Sequence, residues 1–345
     1  MSDVARRAGV SRTTVSHALS GKGRVDAQTR ARIRQVAADL GYVPNRAARS
    51  LALGRSDTVG LLLPQLAHLP LDELLRSDYY GRLAVTASQE AMRYQRALSI
   101  LPAVHDPAEL AAFGLDALIV LDPMTSDPRW HLLEATSSRL VLIGLDPAGR
   151  FGPSVIPDVN QGLAELLEHL ADRGARRMGL IVPDIPWAST GAAIEATRRW
   201  CGQRGIECRI EQVELDACTT REQAASAAEQ VARRMLDRPD RPDAVIGLLE
   251  DFGRGIVGAA RSLGLSVPAD VLVAQDVDGI HAQLSDPPLT ALELNLPAQL
   301  AAAMELLFDE GTDQRTGSGE AVRDPHRVIT VPVSLCVRAS TVQSP

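Results

Sequence analysis

The stretch that decides the fold is SDVARRAGVSRTTVSHALSG, residues 2–21, which carries two short helical patterns separated by Gly9. Ser11 follows that break and is a good N-cap for the second helix. The apolar residues of the two patterns fall at helical spacing, as Val4, Ala5 and Ala8 and then as Val15, Ala18 and Leu19. Two short helices joined by a glycine-containing turn predict a helix-turn-helix.

The residues that follow predict a third helix, which begins after Asp26 as its N-cap and ends at Gly41. Its apolar residues repeat at positions i, i+3, i+4 and i+7, as Ile33, Val36, Ala37 and Leu40. This stripe closes a three-helix core with the first two helices.

Polar side chains occupy the other side of the second helix, towards its N-terminus. We predict DNA contacts from five of them, Arg12, Thr13, Thr14, Ser16 and His17. Such side chains donate to base edges or phosphates when a helix lies in the major groove. The helix N-terminus adds unpaired N–H groups that suit a phosphate.

A short fourth helix is predicted from about Arg46 to Leu53, with Asn45 as its cap. Isolated helices of fewer than about 12 residues are marginal in water, so we expect it to become ordered when it is docked. Arg46 and Arg49 offer phosphate contacts. Leu51 is an apolar wedge of the type that opens a minor-groove base step.

The charge is divided unevenly along the chain. Residues 1–55 contain eleven Arg or Lys and three Asp, a net charge of +8, whereas residues 56–345 carry 25 basic and 40 acidic side chains, a net charge of −15. A small basic head on a large acidic body indicates nucleic acid as a partner at one end only. A solvated charged face is the alternative interpretation.

Within residues 3–52, DVARRAGVSRTTVSHALSG and VDAQTRARIRQVAADLGYVPNRAARSLA resemble the DNA-binding head and hinge helix of the LacI/GalR transcriptional regulators. By that resemblance, Arg12, Thr13 and His17 occupy the base-reading positions of the recognition helix. Leu51 occupies the intercalating hinge position. The resemblance implies a regulator that binds double-stranded operator DNA.

From Thr58 onward, short apolar runs alternate with helical stretches, which predicts a parallel α/β sheet on each side of a cleft. The candidate strands are 59–63, 98–101, 117–121, 140–145, 178–182, 208–213, 244–248, 271–274 and 328–333. The candidate helices include 80–94, 160–172, 188–204, 220–236, 254–263 and 297–309. The stretch GTDQRTGSGE, residues 311–320, is expected to be an exposed loop.

This body resembles the effector-binding core of the same family, a periplasmic-binding-protein-like pair of subdomains. TVGLLLP, SLGLSVPADVLV and PPLTALELNLPAQLAAAMELLFD are among the stretches that carry the resemblance. The predicted fold class is an all-α helix-turn-helix head followed by an α/β core of two doubly wound parallel-sheet subdomains. The implied boundaries are a head at 1–43, a hinge at 44–56, an N-subdomain at 57–155 and 289–317, and a C-subdomain at 156–288 and 318–345.

A glycine pattern in the body, GRGIVG at 253–258, follows the apolar run 244–249 and precedes a helical stretch. A Rossmann phosphate loop requires that order, so a dinucleotide-binding enzyme or sensor is an alternative. Glu250 and Asp251 directly precede the glycines and would repel a diphosphate. Close packing of a helix beside a cleft therefore explains the glycines better.

Candidate effector-binding residues follow from the register of the family resemblance. They are Trp187, Ser189, Glu250, Asp251 and Asp276. The arginine that the family uses for effectors falls on Ala193, so that charged donor is absent. Aromatic residues make up 3% of the chain, which leaves few rings for stacking on a sugar. The alternative is that these positions are ordinary loop residues.

Other patterns of catalysis or metal binding are absent from the sequence. The four cysteines form no CxxC pair and no histidines have metal-ligand spacing, so we expect buried free thiols, no metal and no cofactor. Nucleophile-elbow, Walker A and HExxH motifs are missing. No apolar stretch approaches the roughly 20 residues of a membrane span, so we expect a cytoplasmic protein, associated with the nucleoid when it is bound to DNA.

These observations predict a sequence-specific DNA-binding regulator, a repressor rather than an enzyme, that binds a palindromic operator as a homodimer. A small molecule, a sugar or related metabolite by the resemblance, would occupy the cleft and change the spacing of the hinge helices. The alternatives are an NAD-type enzyme or sensor that uses the glycines at 253–258, and a regulator that has lost effector control.

Overall fold

The structure is a computed structural model that describes residues 1–20, 25–42, 56–66, 69–101, 103–136, 138–146, 149, 152–308, 314–315, 321–322 and 326–342. The chain forms two compact units, Met1–Asp57 and Thr58–Pro345. Among these described residues, no helix is both long enough and apolar enough to cross a membrane.

The first unit contains the three predicted helices. They are α1 (Ser2–Ala8), α2 (Arg12–Ser20) and α3 (Ala27–Asp39). Ser11 Oγ accepts a hydrogen bond from Thr14 N at 3.0 Å, so Ser11 is the N-cap of α2. The Asp26 carboxylate accepts one from Thr29 N at 2.8 Å at the start of α3. Both predicted caps are confirmed.

The core of this unit is a small apolar cluster drawn from the predicted helix faces. It consists of Val4, Ala5, Ala8, Val15, Ala18, Ile33 and Ala37. Leu19 and Val36 are partly buried against it. The prediction is wrong for Leu40, which is 39% exposed because α3 ends at Asp39 and Leu40 lies beyond the last turn.

The strands of the second unit form two six-stranded sheets and one short pair. The first sheet contains β1 (Thr58–Leu62), β2 (Ala97–Ile100), β3 (Ala117–Leu121), β4 (Arg139–Ile143), β5 (Ser154–Pro157) and β13 (Val328–Val331). The second contains β6 (Arg177–Pro183), β7 (Glu207–Val213), β8 (Ala244–Gly247), β9 (Leu272–Gln275), β10 (Thr290–Glu293) and β14 (Ser334–Cys336). The short antiparallel pair, β11 (Gln314–Arg315) and β12 (Ala321–Val322), includes part of the predicted loop.

The strand order of both sheets is doubly wound. The first sheet runs β13-β5-β4-β3-β1-β2 with all neighbours parallel. The second runs β14-β10-β9-β8-β6-β7, and only β14 is antiparallel to its neighbour. In such sheets a ligand binds beyond the carboxyl ends of the strands, where the winding direction reverses. The two switch points lie between β1 and β3 and between β6 and β8.

Helices accompany each sheet. Those of the first subdomain are α4 (Leu71–Arg76), α5 (Asp78–Arg93), α6 (Pro107–Ala112), α7 (Trp130–Ala135) and α13 (Leu296–Phe308). Those of the second are α8 (Val159–Asp172), α9 (Ala188–Arg204), α10 (Arg221–Leu236), α11 (Phe252–Ser262) and α12 (Ile280–Gln283). Each sheet contributes to two apolar clusters, so strands such as β3 are buried along their whole length.

The chain crosses between the subdomains after β5, β10 and β13, near residues 158, 294 and 332. The boundaries implied by the sequence, near 155, 289 and 318, each precede these positions. The predicted strand 328–333 divides into β13 and the start of the connection to β14, which belongs to the other sheet. Strands β5, β10 and β14 have three or four residues, too few to show a period in the sequence.

Candidate functional site

The helix α2 presents polar residues on the side away from the three-helix core. Its exposed residues include Arg12, Thr13 and His17, and Ser16 is half-buried. Val15 and Ala18, on the opposite side, are 0% exposed. The apolar spacing thus predicted the orientation of this helix correctly, and its free donors share one face.

Thr14 has a different environment from its neighbours. Its hydroxyl lies 2.9 Å from Ser11 Oγ, and its backbone N donates to the same oxygen. The Thr14 side chain is therefore engaged at the start of α2. The predicted hinge contacts lie outside the described residues; they are Asn45, Arg46, Arg49 and Leu51.

A cavity of about 210 Å³ lies at the carboxyl ends of the strands of both sheets. Four of the five predicted effector-binding residues line it, namely Trp187, Ser189, Glu250 and Asp276. Asp251 does not; it lines a smaller neighbouring cavity of about 70 Å³. Ala193, which takes the place of the family's arginine, also lines the larger cavity.

The Glu250 carboxylate joins the two subdomains. It accepts hydrogen bonds from Ser77 Oγ at 2.6 Å, from Asp78 N at 3.0 Å and from Tyr79 N at 3.4 Å. These donors lie at the N-terminus of α5, where free N–H groups and the helix dipole favour an anion. Arg221 also donates to Glu250 at 3.0 Å. The carboxylate predicted to meet an effector is already occupied by protein groups.

Arg221, the first residue of α10, connects Asp251 to this arrangement. Arg221 Nε donates to Asp251 Oδ2 at 2.8 Å, and Arg221 Nη1 donates to the carbonyl of Arg76 at 2.7 Å. The charges of Asp251 and Glu250 raise the pKa of Arg221 although burial opposes this. We call Ser77, Arg221, Glu250 and Asp251 the inter-subdomain bridge.

The glycines at 253–258 lie inside α11 and not in a loop before it. A Cβ on Gly255 would lie 2.5 Å from the carbonyl oxygen of Ala225 on α10, and one on Gly258 would lie 3.1 Å from the Glu229 carboxylate. The expected close helix packing is confirmed. It brings α10, which carries Arg221, against the helix that follows Glu250.

Asp122 and Asp276 line the same cavity, and neither forms an ion pair with Arg, Lys or His among the residues that the structure describes. Burial raises the pKa of Asp276 to about 7, and the charge of Glu250 acts in the same direction. Burial raises the pKa of Asp122 to about 6, although a hydrogen bond from Tyr80 and the charge of Arg129 lower it. The Tyr80 hydroxyl donates to Asp122 Oδ2 at 2.7 Å. The pKa of each carboxyl group is therefore raised from its ordinary value towards neutral pH.

Three buried polar atoms on the cavity lining have no hydrogen-bond partner within the described part of the chain. They are Trp187 Nε1, Asp276 Oδ1 and Gln299 Oε1. Gln299 is 0% exposed, and its Nε2 donates to the carbonyl of Leu294 at 2.6 Å, which sets the orientation of the amide. We call Asp122, Asp276 and Gln299 the unpaired wall, because none of the three is paired with a cationic side chain among the described residues, although Asp122 accepts the Tyr80 hydrogen bond.

Asp122, Gln299 and the Tyr79–Tyr80 pair were not among the predicted site residues. Asp122 follows the buried run 117–121, just as Asp276 follows β9, so the strand-end rule was sufficient to find it. Gln299 lies within an apolar helix, and nothing in its local sequence distinguishes it from a satisfied core residue.

Comparison with known proteins decides the family. Residues 1–45 match the family model for bacterial regulatory proteins, lacI family, and residues 167–341 match that for a periplasmic binding protein-like domain. The chain belongs to the LacI family. A LacI-family member is a transcription regulator with a DNA-binding helix-turn-helix and an effector-binding core, so the alternative of an NAD-type enzyme is wrong.

Two relatives illustrate the similarity along the chain. Catabolite control protein A of Staphylococcus xylosus is 26% identical over 333 residues, which cover 94% of this chain and 96% of that protein. The HTH-type transcriptional regulator AglR of Rhizobium meliloti is 29% identical over 284 residues, 80% of this chain and 77% of that protein.

Solved structures show the same fold. The lac repressor dimer bound to operator and the anti-inducer ONPF has a TM-score of 0.76 and 22% identity, and the match covers 99% of this chain and 98% of that one. The complex of the transcriptional regulator CelR with cellobiose has a TM-score of 0.69 and 22% identity, covering 98% of both chains. The predicted helix-turn-helix and doubly wound core are confirmed.

Proposed function

We propose that this LacI-family regulator is a cytoplasmic repressor that binds a palindromic operator as a homodimer, with α2 in the major groove of each half-site. Arg12, Thr13, Thr14, Ser16 and His17 make the contacts that position the helix and read bases. The lac repressor, with which this chain shares its fold, is a dimer bound to its operator.

The observation that carries this proposal is the two-sided character of α2. Val15 and Ala18 anchor the helix in the core, while Arg12 and His17 stand free on the outer face. A rigidly packed helix with free donors on one face has the form that major-groove recognition requires. The net charge of +8 on residues 1–55 supplies attraction to phosphates.

The segment after the head completes the DNA contacts in this proposal. Asn45 caps a hinge helix, and Arg46 and Arg49 bind phosphates. Leu51 enters a minor-groove base step and bends the operator. The resemblance of these positions to the LacI family supports this part.

The cavity between the sheets is the proposed effector site, with Trp187, Ser189 and Asp276 as lining residues. The relative CelR binds cellobiose, which supports a sugar or related metabolite in this place. Unpartnered polar atoms on the cavity wall are the local evidence for a ligand. Glu250 and Asp251 contribute indirectly, because they hold the subdomains that form the cavity.

Effector binding is coupled to the head through contacts that join the subdomains. Besides the inter-subdomain bridge, Asp78 Oδ2 accepts a hydrogen bond from Ile280 N at 3.2 Å, and Arg82 donates to the carbonyl of Asp278 at 3.2 Å. A ligand that changes the angle between the subdomains must rearrange these contacts. Couplings of this kind amount to about 1 to 3 kcal/mol.

In-vitro selection of DNA by the full-length protein tests the proposal. We expect an enriched palindrome, and we expect Arg12→Ala and His17→Ala to relax preference at particular positions by about 1 to 3 kcal/mol each. Arg34→Ala on the exposed side of α3 removes the same charge as Arg12→Ala and should leave the base preference unchanged. Unchanged preference in the α2 variants would show that another surface reads the DNA.

A further inference from the structure

The cavity has acidic side chains but lacks basic ones. Within the described residues, its charged lining consists of Asp122, Glu250 and Asp276, and none of the lining residues is Arg, Lys or His. A buried carboxylate without a partner is costly, so such groups are paired, protonated or bound to a ligand.

The inter-subdomain bridge is balanced within itself. Glu250 and Asp251 share Arg221, and Arg254 lies 3.4 Å from Asp251 on the other side. Two carboxylates thus face two guanidinium groups. Glu250 needs no cation from a ligand, although it contributes to the cavity lining.

The unpaired wall has no such balance. The guanidinium of Arg129, whose charge acts on Asp122, is paired with Asp127 at 2.5 Å and donates to backbone carbonyls, that of Asp122 included. The Asp122 carboxylate receives only the Tyr80 hydroxyl among the described residues. Asp276 faces Tyr79 on α5 and Glu250 after β8, and neither supplies positive charge.

The buried amide of Gln299 is a second, independent indication of a ligand. This side chain is fully buried, its Nε2 is occupied by Leu294, and its Oε1 remains an acceptor without a donor on the cavity lining. Asp276 Oδ1 is another unmet acceptor, whereas Trp187 Nε1 is an unmet donor. The unmet groups on the cavity lining are therefore mainly acceptors, which a ligand would satisfy with hydrogen-bond donors.

We propose that the effector of this protein carries a protonated nitrogen, which binds Asp276 and finds Gln299 Oε1 as a further acceptor. This inference rests on the proposed role of the cavity as the effector site. Asp122 provides the second negative charge of the cavity. Trp187 Nε1 donates to an acceptor elsewhere on the ligand.

Two kinds of molecule supply such a nitrogen, and the lining does not distinguish them by charge. An amino sugar combines it with hydroxyl groups. An arylalkyl amine combines it with an apolar body, for which the apolar lining residues Ile143, Leu163, Leu248, Leu292 and Leu294 are suited. The test therefore needs one arm for each source.

The experiment is calorimetric titration of the full-length protein at about pH 7, where both amines are mainly protonated, with two matched pairs. Glucosamine is compared with glucose, and tyramine, whose phenol oxygen can accept from Trp187 Nε1, with tyrosol. In at least one pair we expect the amine to bind about tenfold or more tightly than the uncharged partner. Equal or tighter binding of the uncharged compounds, or no binding of either amine, would overturn the proposal.

Asp276→Asn and Asp286→Asn provide the matched variants. Both remove one carboxylate, but the Asp286 side chain is 96% exposed and lies outside the cavity lining. We expect Asp276→Asn to abolish the preference for the amine and Asp286→Asn to retain it. Retention of the preference by Asp276→Asn would contradict the assignment of Asp276.

The pH dependence gives a further readout. Because burial raises the pKa of Asp276 to about 7, binding of tyramine, whose ammonium group stays protonated over this range, should strengthen as pH rises from about 6 to about 8, with release of a proton. Asp276→Asn should flatten this profile. Operator binding in the same preparations separates the two proposals: a protein that binds its selected DNA but prefers uncharged probes refutes only the nitrogen assignment.

Discussion

The inter-subdomain bridge and the unpaired wall both place carboxyl groups beyond the ends of β-strands, those of the bridge buried and those of the wall partly buried. In the bridge, Glu250 accepts bonds from Ser77, two backbone N–H groups and Arg221. In the wall, Asp276 Oδ1 has no partner among the described residues. The position at a strand end brings a residue to the cleft, and its partners then decide whether it joins the subdomains or remains free for a ligand.

Removal of the arginine of the bridge should have the largest effect. Arg221→Met leaves Glu250 and Asp251 buried without their main cation, and breaking a buried pair on one side costs about 3 to 5 kcal/mol. We expect the free energy of unfolding to fall by that amount. Urea denaturation followed by tryptophan fluorescence measures it, since all three tryptophans lie in the second unit.

Arg254→Met is the matched control for Arg221→Met. Arg254 lies 3.4 Å from Asp251 and its side chain is 45% exposed, so its loss should change stability by about 1 kcal/mol or less. Equal effects of the two substitutions would show that the burial of Arg221 does not make it more important for stability than the exposed Arg254. Addition of Glu250→Gln to Arg221→Met should restore part of the lost stability, because one unpaired charge is removed.

The glycine contact behind the bridge should have the next largest effect. In Gly255→Ala the new methyl meets the backbone oxygen of Ala225 at 2.5 Å, so α10 and α11 must separate and Arg221 must move. Overpacking of this kind costs about 1 to 3 kcal/mol. Thermal denaturation should show a lower Tm.

Gly191→Ala, in the helix α9 of the same subdomain, is expected to have the opposite effect on stability from Gly255→Ala. No atom lies within 4 Å of a Cβ at Gly191, so alanine there should stabilise the protein by about 0.5 to 1 kcal/mol through its better helix propensity. If both substitutions shifted Tm in the same direction, close packing would not explain the 253–258 glycines.

In the unpaired wall, a neutral substitution should stabilise the ligand-free protein. The pKa of Asp276 rises from 3.8 to about 7 on folding, so the folded state retains a proton that the unfolded state loses. The contribution of Asp276 to stability therefore falls as pH rises through this window. At about pH 8 we expect Asp276→Asn to unfold at a higher urea concentration than the wild type, because its free energy of unfolding is larger by about 1 to 2 kcal/mol. Near pH 4 the two proteins should have the same free energy of unfolding.

A difference at pH 4 as large as that at pH 8 would contradict this interpretation, because titration could not be its source. Asp286→Asn again serves as the control, since its exposed carboxylate should leave the pH profile unchanged.

Asp122→Asn should show the smallest effect. Burial raises the pKa of Asp122 only to about 6, because Tyr80 and Arg129 offset part of the burial effect. Asparagine tolerates the left-handed backbone at this position and retains an oxygen for the Tyr80 hydroxyl. We expect stabilisation of about 1 kcal/mol or less at pH 8, lost between about pH 6 and 4. A larger effect than that of Asp276→Asn would show that folding raises the pKa of Asp122 more than that of Asp276.

Long periodic elements were predictable, and short ones were not. The helix at 188–204 and the strand at 117–121 were predicted with the bounds that the structure shows. Strands β5, β10 and β14 were missed. In the cavity, the family register placed Glu250 and Asp276 correctly at strand ends. Gln299 was missed because its burial depends on packing between α13 and the rest of the core.

The sequence by itself determined the three-helix head, the outward face of α2 and the alternation of strands and helices in the body, because apolar spacing and N-caps act between residues a few positions apart. The tertiary structure alone decided which carboxyl groups are paired. Ser77 lies 173 residues from Glu250 along the chain and Arg221 lies 29 residues from it. The charge state of a buried carboxyl group depends on neighbours at such separations, and no local pattern specifies them.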